Sequence, residues 1–574
     1  MSEKLKHLIV HAIEETSRRY TQHGKKGLLD PEYEKTRFVN PRYQEVCLTL
    51  ALAAQDNSAL KGLWDSNELI YMAIGAIETW IHNQQRNGSV KCQPNGSFDS
   101  QATAYGLFAV TRTLMLLSDH ISPSLKNRTK RSIRRAARFL INAPMPDGPE
   151  TRPLRYAALM SAAKWLEHPG ISNAAQGLLT DSYSMMYREL SDSNRQIVDA
   201  GAYSLALFFL TIATPDPVEK DIEMWKMISE RCLYSTTPTG IMGGGAETSL
   251  ACLPIIGGFA LASKHVEEAA EMTTLLDSCY ETEWYNSLID PDVPWLIPMS
   301  YMALYALEAI NVEPEISNTQ KDYIAEQLFE CGAGRFLIGD WLIRTGTGGT
   351  IGWLHHIPSN STRLFGSPSG LALREGPWIA EKNRIRQPTL AGDFRLRSSN
   401  PFVIKGDIYS LPIPSGDRML RRIGFPRWRG KQAKIGTRLA PPFKTGNIRT
   451  LNPIEFAREI ELKDGALTIE TFIEGRVLHR LPMIWPGGMF GNILINKEVV
   501  PLDRPYSERS IREIVFEGAP WPAWTVRFDK PVDILYEPIY GPINVSPMRF
   551  LTAAAGSFDI VAEDRLHMAW RVLE

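Results

Sequence analysis

The sequence predicts an α+β protein with two parts, an N-terminal (α/α)6 toroid over residues 1–340 and an antiparallel β-sandwich domain over residues 341–574. Three observations predict this division. Apolar residues follow a helical period up to about residue 340, short β-rich runs replace that period afterwards, and the net charge changes sign at the same place. A chain of 574 residues also exceeds one ordinary hydrophobic core, so we expect more than one domain.

The helices of the first part are predicted by apolar residues that recur at i, i+3, i+4 and i+7. About thirteen segments show this pattern, which is enough for six helical hairpins and one further helix. Proline and glycine clusters separate many of them. The segments are 4–20, 42–55, 67–86, 101–118, 129–142, 152–167, 172–190, 196–212, 219–232, 247–262, 266–280, 298–310 and 319–330.

The helices differ in how apolar and charged residues are distributed around them. This difference predicts an inner ring of helices surrounded by an outer ring. The segments 200–213 and 249–262 are apolar on every side, as in helices that are buried all round. The segment 127–141 is charged on one face, so we expect it outside. An open α-solenoid is the competing arrangement, but the sequence has no repeat of fixed period.

The β-rich part is predicted by short runs of strand-forming residues with glycine and proline between them, which favours an antiparallel sandwich. Asp464-Gly465 and Asn496-Lys497 are typical of tight turns. The glycine-rich segment 341–400 is expected to be irregular and to cross the mouth of the toroid. The predicted strands are 402–411, 455–462, 466–475, 493–500, 512–518, 524–528, 532–538 and 567–573.

Charge separates the two parts. Residues 1–340 contain 31 Lys and Arg against 41 Asp and Glu, a net charge of −10, and residues 341–574 contain 32 against 23, a net charge of +9. Within 382–449 there are 16 basic and 3 acidic residues, which indicates an anionic partner. No nucleic-acid-binding motif accompanies this excess, so we do not expect nucleic acid.

Other features exclude several classes of protein. No stretch of 18 uncharged apolar residues predicts a membrane span, and the N-terminus does not resemble a secretory signal, so a cytoplasmic protein is expected. The six cysteines form no CxxC pair, and we expect no metal and no cofactor.

The loops that precede the apolar helices should converge on one cavity. The candidate binding or catalytic residues on them are Asp99, Gln101, Asp199, Glu247, Asp290, Asp292 and Trp295. Helix capping is the alternative interpretation of Asp99, and a position in a first helical turn is the alternative for Glu247. The three glycines at 243–245 permit close approach to a ligand, or form a tight corner.

Three stretches resemble the (α/α)-toroid domains of heparinase II/III-type polysaccharide lyases and their relatives. They are NGSFDSQATAYGLFAVTRTL (95–114), SNRQIVDAGAYSLALFFL (193–210) and GGGAETS (243–249). The resemblance implies a toroid followed by β-sandwich sheets, and an enzyme that cleaves a uronate-containing glycan by β-elimination. The resemblance covers the whole chain in its predicted architecture, but only about fifty residues in amino-acid sequence. The same toroid also occurs in glycoside hydrolases, so fold does not decide the reaction.

The resemblance also implies roles for particular side chains. In such lyases Asn, His or Arg neutralises the substrate carboxylate, and Tyr or His transfers the protons. The candidates are Tyr203 on the central apolar helix, Tyr301 on a late one and Tyr105 on an early one. For each tyrosine, a packing role is the alternative.

The segment 353–363 contains the strongest single cluster, which we expect to be a loop where the two parts meet. The resemblance implies a catalytic histidine from the second part, and His355 or His356 fits that role. Because neighbouring side chains on an extended segment point in different directions, at most one should act. Trp353, Asn360 and Arg363 are candidate substrate ligands beside them. A surface histidine pair is the alternative, and a metal site is weaker because no HExxH spacing is present.

A basic stretch at 418–438 completes the candidates. Within it, Arg427 could hold a carboxylate and Trp428 could stack on a sugar ring. A strand edge protected by positive charge is the alternative.

The residues therefore support three hypotheses. The first is a lyase acting on an anionic oligo- or polysaccharide. The second is a glycoside hydrolase on the same toroid that uses two of the loop carboxylates. The third is a carbohydrate-binding protein without catalysis, which would have aromatic side chains in the cavity but no acid–base pair.

Overall fold

The structure, a computed structural model, consists of helices in the N-terminal part and mainly antiparallel sheets in the C-terminal part. The change from helix to strand that the sequence predicts is confirmed at this level. The residues described are 3–22, 39–91, 99–145, 148–191, 200–240, 256–279, 296–310, 327–328, 334–345, 351–364, 380–381, 384–385, 394–397, 402–408, 454–463, 466–477, 481–483, 492–500, 506–518, 521–536, 543–546, 551–560 and 566–573.

The described helices agree closely with the periodic segments of the sequence. Short 3-10 helices also occur at Pro41–Glu45 and Ser118–His120. The α-helices are α1 Glu3–Gln22, α2 Val46–Ala53, α3 Ser66–Asn83, α4 Ser100–Leu116, α5 Pro123–Asn142, α6 Thr151–Leu166, α7 Pro169–Ser191, α8 Ala200–Ala213, α9 Glu219–Ser235, α10 Gly257–Ala262, α11 Glu267–Cys279 and α12 Leu296–Ile310.

Six of these helices form a closed ring. Helix α2 packs against α4, α4 against α6, α6 against α8, α8 against α10, α10 against α12, and α12 against α2. The other six, α1, α3, α5, α7, α9 and α11, each pack against one or two members of this ring. Among the described helices, every second one therefore belongs to the ring.

Burial explains this arrangement from the sequence. Every residue of α2 is buried, as are nearly all residues of α8, so these helices need neighbours on all sides. Helix α5 buries one face only, at the spacing of an amphipathic helix. The predicted burial of 200–213 and the predicted outer position of 127–141 are confirmed.

The interior of the ring is packed with aromatic side chains. Phe108 of α4, Phe209 of α8 and Tyr301 of α12 come from alternate ring helices, and Phe108 contacts both of the others at 5.3 and 6.1 Å between ring centroids. Two glycines allow α10 to approach its neighbours. A Cβ at Gly258 would lie 2.5 Å from the Phe208 backbone nitrogen, and one at Gly257 would lie 2.6 Å from the Met302 carbonyl oxygen.

The strands form three sheets. The first is antiparallel in the order β1-β2-β3-β4-β5, and β6 pairs with β7. The third has twelve strands in the order β14-β13-β15-β16-β19-β18-β11-β10-β9-β8, with β17 pairing with β16 and with β12, and it is antiparallel except between β16 and β19.

The strand bounds are β1 Gln327–Leu328, β2 Gly334–Ile338, β3 Trp341–Thr345, β4 Ile351–His356, β5 Ser361–Leu364, β6 Ala380–Glu381, β7 Arg384–Ile385, β8 Phe394–Arg397, β9 Phe402–Ile408, β10 Ile454–Lys463, β11 Ala466–Val477, β12 Leu481–Met483, β13 Asn492–Ile495, β14 Glu498–Val499, β15 Tyr506–Gly518, β16 Trp521–Tyr536, β17 Ile543–Ser546, β18 Leu551–Ile560 and β19 Leu566–Leu573.

The structure confirms some local predictions of the β part. Asn496 and Lys497 both have positive φ, at 53° and 69°, and connect β13 to β14 as the predicted turn. The predicted run 524–528 and the described part of the run 532–538 belong to one strand, β16. The chain remains extended through Pro531, which lies between them.

Other local predictions were wrong. Residues 327–328, near the end of the predicted helix 319–330, form β1, and the described part of the segment 341–400 contains the six strands β3 to β8 where irregular chain was expected. These strands are short, and their hydrogen bonds go to distant residues, so local periodicity does not show them. The first strands precede residue 341, and the domain division itself stays a prediction. No helix of the described segments has the length and apolarity needed to cross a membrane.

Candidate functional site

Several ring helices begin at the same end of the ring. Gln101, in the first turn of α4, donates from Nε2 to Oε1 of Glu150, which directly precedes α6, at 3.1 Å. The hydroxyls of Thr49, in α2, and Ser300, in α12, are hydrogen-bonded at 2.7 Å. Polar contacts thus join the start of α4 to that of α6, and the first turns of α2 to those of α12, and we call this the starting end of the ring.

An Arg–Glu pair is buried at the starting end. Arg42 and Glu45 lie on the 3-10 helix Pro41–Glu45, whose start is capped by the Asn40 side chain, and their side chains are in direct contact one helical turn apart. The Arg42 guanidinium also lies over the ring of Tyr105, with Cζ 3.8 Å from the centroid. Burial raises the pKa of Glu45 to about 8, although Arg42 opposes this shift. The Glu45 carboxyl group therefore keeps a proton at neutral pH.

Tyr301, a predicted catalytic residue, is fully buried beside this pair. Burial raises the pKa of its hydroxyl well above the ordinary value, and the nearby Glu45 adds to the effect. Within the described part of the chain, the hydroxyl has no hydrogen-bond partner. Tyr301 is thus a neutral hydroxyl that holds its proton.

The other predicted ring residues have observed partners. The Tyr203 hydroxyl, near the start of α8, donates to Oε2 of Glu189 at 2.8 Å. The Asp99 carboxylate caps α4, accepting from the backbone N–H groups of Gln101 and Ala102 at 2.9 and 3.0 Å. Asp99 therefore has the capping role given above as its alternative, and a substrate contact there stays a prediction.

The histidine segment has a regular structure, which corrects the prediction of a loop. Residues 351–364 form the antiparallel hairpin β4–β5, in which Asn360 adopts a positive φ of 47° in the exposed turn. Trp353 lies on β4 and Arg363 on β5, at register positions opposite Arg344 and Leu354. Strand β4 pairs with β5 on one side and with β3 on the other. Because β3 lies outside residues 351–364, this second pairing is not visible in the local sequence.

The two histidines lie on opposite faces of β4, as expected for successive residues of a strand. His356 is partly exposed, stacks on Trp341 at 4.7 Å between ring centroids, and its Nδ1 is 2.7 Å from the Ser359 hydroxyl oxygen. His355 is only 4% exposed. Burial, with a smaller contribution from His356, lowers the pKa of His355 to about 4, so its imidazole is neutral at pH 7.

The register places His355 on the same face as two arginines. Leu342 stands opposite His355, two residues from Arg344, and Arg344 stands opposite Arg335 of β2. Both guanidinium groups contact the ring of Tyr234, with Cζ at 4.4 Å for Arg344 and 5.4 Å for Arg335. We call Arg335, Arg344, His355 and Tyr234 the seam cluster.

The seam cluster connects the helical ring to the first sheet. Tyr234 is the penultimate residue of α9, an outer helix, whereas the other three residues come from β2, β3 and β4. Arg344 is fully buried, so its charge has been removed from water and lies against the tyrosine ring. Neither the ring nor the sheet provides all four groups.

Five residues of these two clusters were not predicted from the sequence, namely Arg42, Glu45, Tyr234, Arg335 and Arg344. One signal was available for the first pair, since opposite charges at i and i+3 directly precede a helix with no polar face. The strand arginines give no such signal, because arginine on a short strand usually faces solvent. The predicted site residues outside the described segments are Asp199, Glu247, Asp290, Asp292, Trp295, Arg427 and Trp428.

Among the residues described, no group of three or more His, Cys, Asp or Glu side chains could hold a metal ion.

Comparison with solved structures finds polysaccharide lyases, the class that the sequence resembles. A xanthan lyase from Paenibacillus is 11% identical with a TM-score of 0.41, over 97% of this chain and 52% of that chain, so the present chain spans about half its length. A chondroitin AC lyase from Streptomyces coelicolor A3 is 9% identical with a TM-score of 0.43, over 90% of this chain and 74% of that chain. A heparinase III is 10% identical with a TM-score of 0.38, over 100% and 90%. No protein-family model and no curated protein sequence matches the chain.

Proposed function

We propose that this chain is a polysaccharide or oligosaccharide lyase that cleaves a uronate-containing glycan by β-elimination. The supporting observation is the seam cluster, which combines two guanidinium groups, a neutral imidazole and a phenol. In this proposal the closed helical ring is an (α/α)6 toroid and the large sheet belongs to a β-sandwich domain, with the active site between the toroid and the first sheet.

β-Elimination needs three chemical functions. A base takes the proton from C5 of the uronate, the electron pair of that bond forms the C4=C5 double bond, and the C4–O bond breaks with its electrons leaving on oxygen. The leaving oxygen then receives a proton. A cation beside the carboxylate lowers the cost of the charge that develops when the C5 proton departs.

The seam cluster can supply all three functions. The guanidinium groups of Arg335 and Arg344 are planar donors that match a carboxylate. His355 is neutral at pH 7 because burial lowers its pKa to about 4, so it is the proposed base. The Tyr234 hydroxyl is the proposed donor to the leaving oxygen.

The remaining candidates have supporting roles in this proposal. Tyr203 and Tyr301 keep their protons, the first toward Glu189 and the second through burial, so we assign them to hydrogen-bonding of the sugar. His356, Asn360 and Gln101 are proposed contacts further along the glycan. The candidates outside the described segments are retained as predicted ligands.

The test is the identity of the product. The full chain is incubated with a panel of uronate polymers, and ultraviolet absorbance of the unsaturated uronate is followed together with release of reducing ends. We expect both signals to rise together on at least one polymer, and both to fall in a Tyr234→Phe variant. Reducing ends without absorbance on every polymer would contradict a lyase.

A glycoside hydrolase is the second candidate, and one observation favours it. Glu45 is a protonated carboxyl group at the starting end of the ring, and Glu150 is a second carboxylate at that end. Inverting and retaining hydrolases use one acid and one carboxylate. Reducing ends without absorbance, lost in Glu45→Gln, would establish this reaction. Binding of a glycan without either signal would establish the non-catalytic alternative.

A further inference from the structure

Helix α5 has an unusual concentration of positive charge on its outer surface. It contains seven basic residues and no acidic one, within a part of the chain whose net charge is −10. Its apolar face is buried against the ring, which leaves the charged positions facing outward. The basic residues are Lys126, Arg128, Lys130, Arg131, Arg134, Arg135 and Arg138.

Most of this charge is not neutralised by the protein. Arg128 forms an ion pair with Glu78, and Arg135 donates to the side-chain oxygen of Gln84 at 3.0 Å. Within the described part of the chain, Lys130, Arg131, Arg134 and Arg138 form no ion pair. Arg131, Arg134 and Arg138 are exposed and lie at i, i+3 and i+7, along one side of the helix over about 10 Å.

This basic surface extends to the starting end of the ring. Arg155, in the second turn of α6, donates to the carbonyl oxygens of Leu140, Ala143 and Pro144 at 2.8 to 3.0 Å, which anchors the end of α5 beside the start of α6. Arg138 lies within the last two turns of α5. Glu150, hydrogen-bonded to Gln101 at the starting end, directly precedes α6.

We propose that the outer surface of α5 binds an extended anionic glycan, and so holds a polymeric substrate beside the starting end of the ring. The inference rests on the proposed function, which it deepens by assigning a second binding surface for the same class of substrate. Guanidinium groups suit the carboxylates or sulfates of such a chain, and their spacing along the helix suits a polymer with repeating charges.

Charge and burial favour a glycan over the two other anionic partners. A membrane-binding helix inserts an apolar face, but the apolar face of α5 is already buried in the protein. Duplex nucleic acid presents a dense field of phosphates to a broad surface, and the helical part around α5 is strongly acidic. A single flexible chain can follow one helix without approaching the acidic surroundings.

The test compares two triple variants of the full chain. Arg131→Gln, Arg134→Gln and Arg138→Gln together remove three charges from α5. The matched control removes three exposed charges from other elements, with Lys61→Gln, Lys164→Gln and Lys220→Gln. Both are made in a His355→Gln background to prevent cleavage, and binding of fluorescent polygalacturonate, heparin, duplex DNA and phosphatidylserine vesicles is measured at low and physiological salt. Thermal unfolding verifies that each variant is folded. If the α5 triple variant fails to fold, the single variant Arg134→Gln takes its place.

We expect the α5 variant to bind the anionic glycans roughly tenfold more weakly, with a smaller loss at higher salt, while the control changes less than about twofold. With His355 intact, we expect KM for a polymer to rise and activity on a short oligosaccharide to remain unchanged. Equal binding by both triple variants would overturn the proposal, as would an effect confined to DNA or vesicles. The binding measurements do not depend on cleavage, so they decide this proposal even if the protein proves not to be a lyase.

Discussion

The buried Arg42–Glu45 pair at the starting end and the seam cluster each contain an ionisable group removed from water, and burial shifts the pKa values of the two groups in opposite directions. The pKa of Glu45 is raised to about 8, whereas the pKa of His355 is lowered to about 4. In both cases burial favours the neutral form, which is the protonated form for an acid and the deprotonated form for an imidazole. At pH 7 the ring therefore contains a proton donor, and the first sheet a proton acceptor.

This difference separates the two proposed reactions. An elimination needs an acceptor for the C5 proton, which the seam cluster offers, and a hydrolysis needs a carboxylic acid, which the ring offers. The first prediction therefore tests the acceptor directly. We expect His355→Gln to lower kcat/KM for the uronate substrate roughly 10²- to 10⁴-fold, because the variant has no group that can take the proton.

His356→Gln is the matched control for this comparison, since it alters the adjacent residue on the opposite face of β4. We expect a change of less than about tenfold, because His356 is partly exposed and contacts Trp341 and Ser359. Equal losses in the two variants would show that His355 is not the specific acceptor. Initial rates of unsaturated-product formation give the measurement.

The second prediction concerns the alkaline side of the stability profile. The folded chain keeps the Glu45 proton up to pH about 8, whereas an unfolded chain loses it near its ordinary value of 4.5. The unfolded state then binds fewer protons, so the free energy of unfolding falls as pH rises between these values, by at most about 5 kcal/mol. Glu45→Gln, which resembles the protonated acid, should remove this slope and leave the free energy of unfolding at pH 4.5 within about 1 kcal/mol of the wild type.

The third prediction concerns the acid side, where the sign reverses. An unfolded chain protonates His355 near pH 6.5, but the folded chain does so only near pH 4. The unfolded state therefore binds more protons in this window, and the free energy of unfolding falls as pH falls from 6.5 to 4, by at most about 3 kcal/mol.

Urea unfolding of the wild type, Glu45→Gln and His355→Gln between pH 4 and pH 9 measures both slopes. Glu45→Gln should remove the fall in the free energy of unfolding between pH 6.5 and 8, above the window in which His355 contributes. His355→Gln should remove the opposing contribution between pH 4 and 6.5, where the two windows overlap. If His355→Gln flattened the alkaline side, or if neither slope were present, the opposite assignment of the two groups would be wrong.

The two regions also differ in how far the sequence predicted them. The ring helices have all-round apolar character, and their burial follows from that pattern, so 200–213 and 127–141 were placed correctly from residue type alone. The hairpin at 351–364 was not, because a short strand with two histidines has no clear alternation and depends on β3 for its hydrogen bonds. The candidate site residues differ in the same way. The tyrosines of the ring and the histidine pair were proposed from the sequence as candidates, but the arginines of β2 and β3 come together only through register.

The last and smallest prediction tests whether Tyr203 belongs to the structure of the ring or to its chemistry. Its hydroxyl donates to Glu189 at 2.8 Å, and its ring is buried. Tyr203→Phe keeps the ring and removes that hydrogen bond, so we expect a loss of about 1 kcal/mol in the free energy of unfolding. If Tyr203 only hydrogen-bonds the sugar, KM should rise while kcat changes less than about tenfold, since the proton acceptor lies on β4. A fall in kcat as large as that of His355→Gln would instead place proton transfer in the ring, and would move the proposed reaction away from the seam cluster.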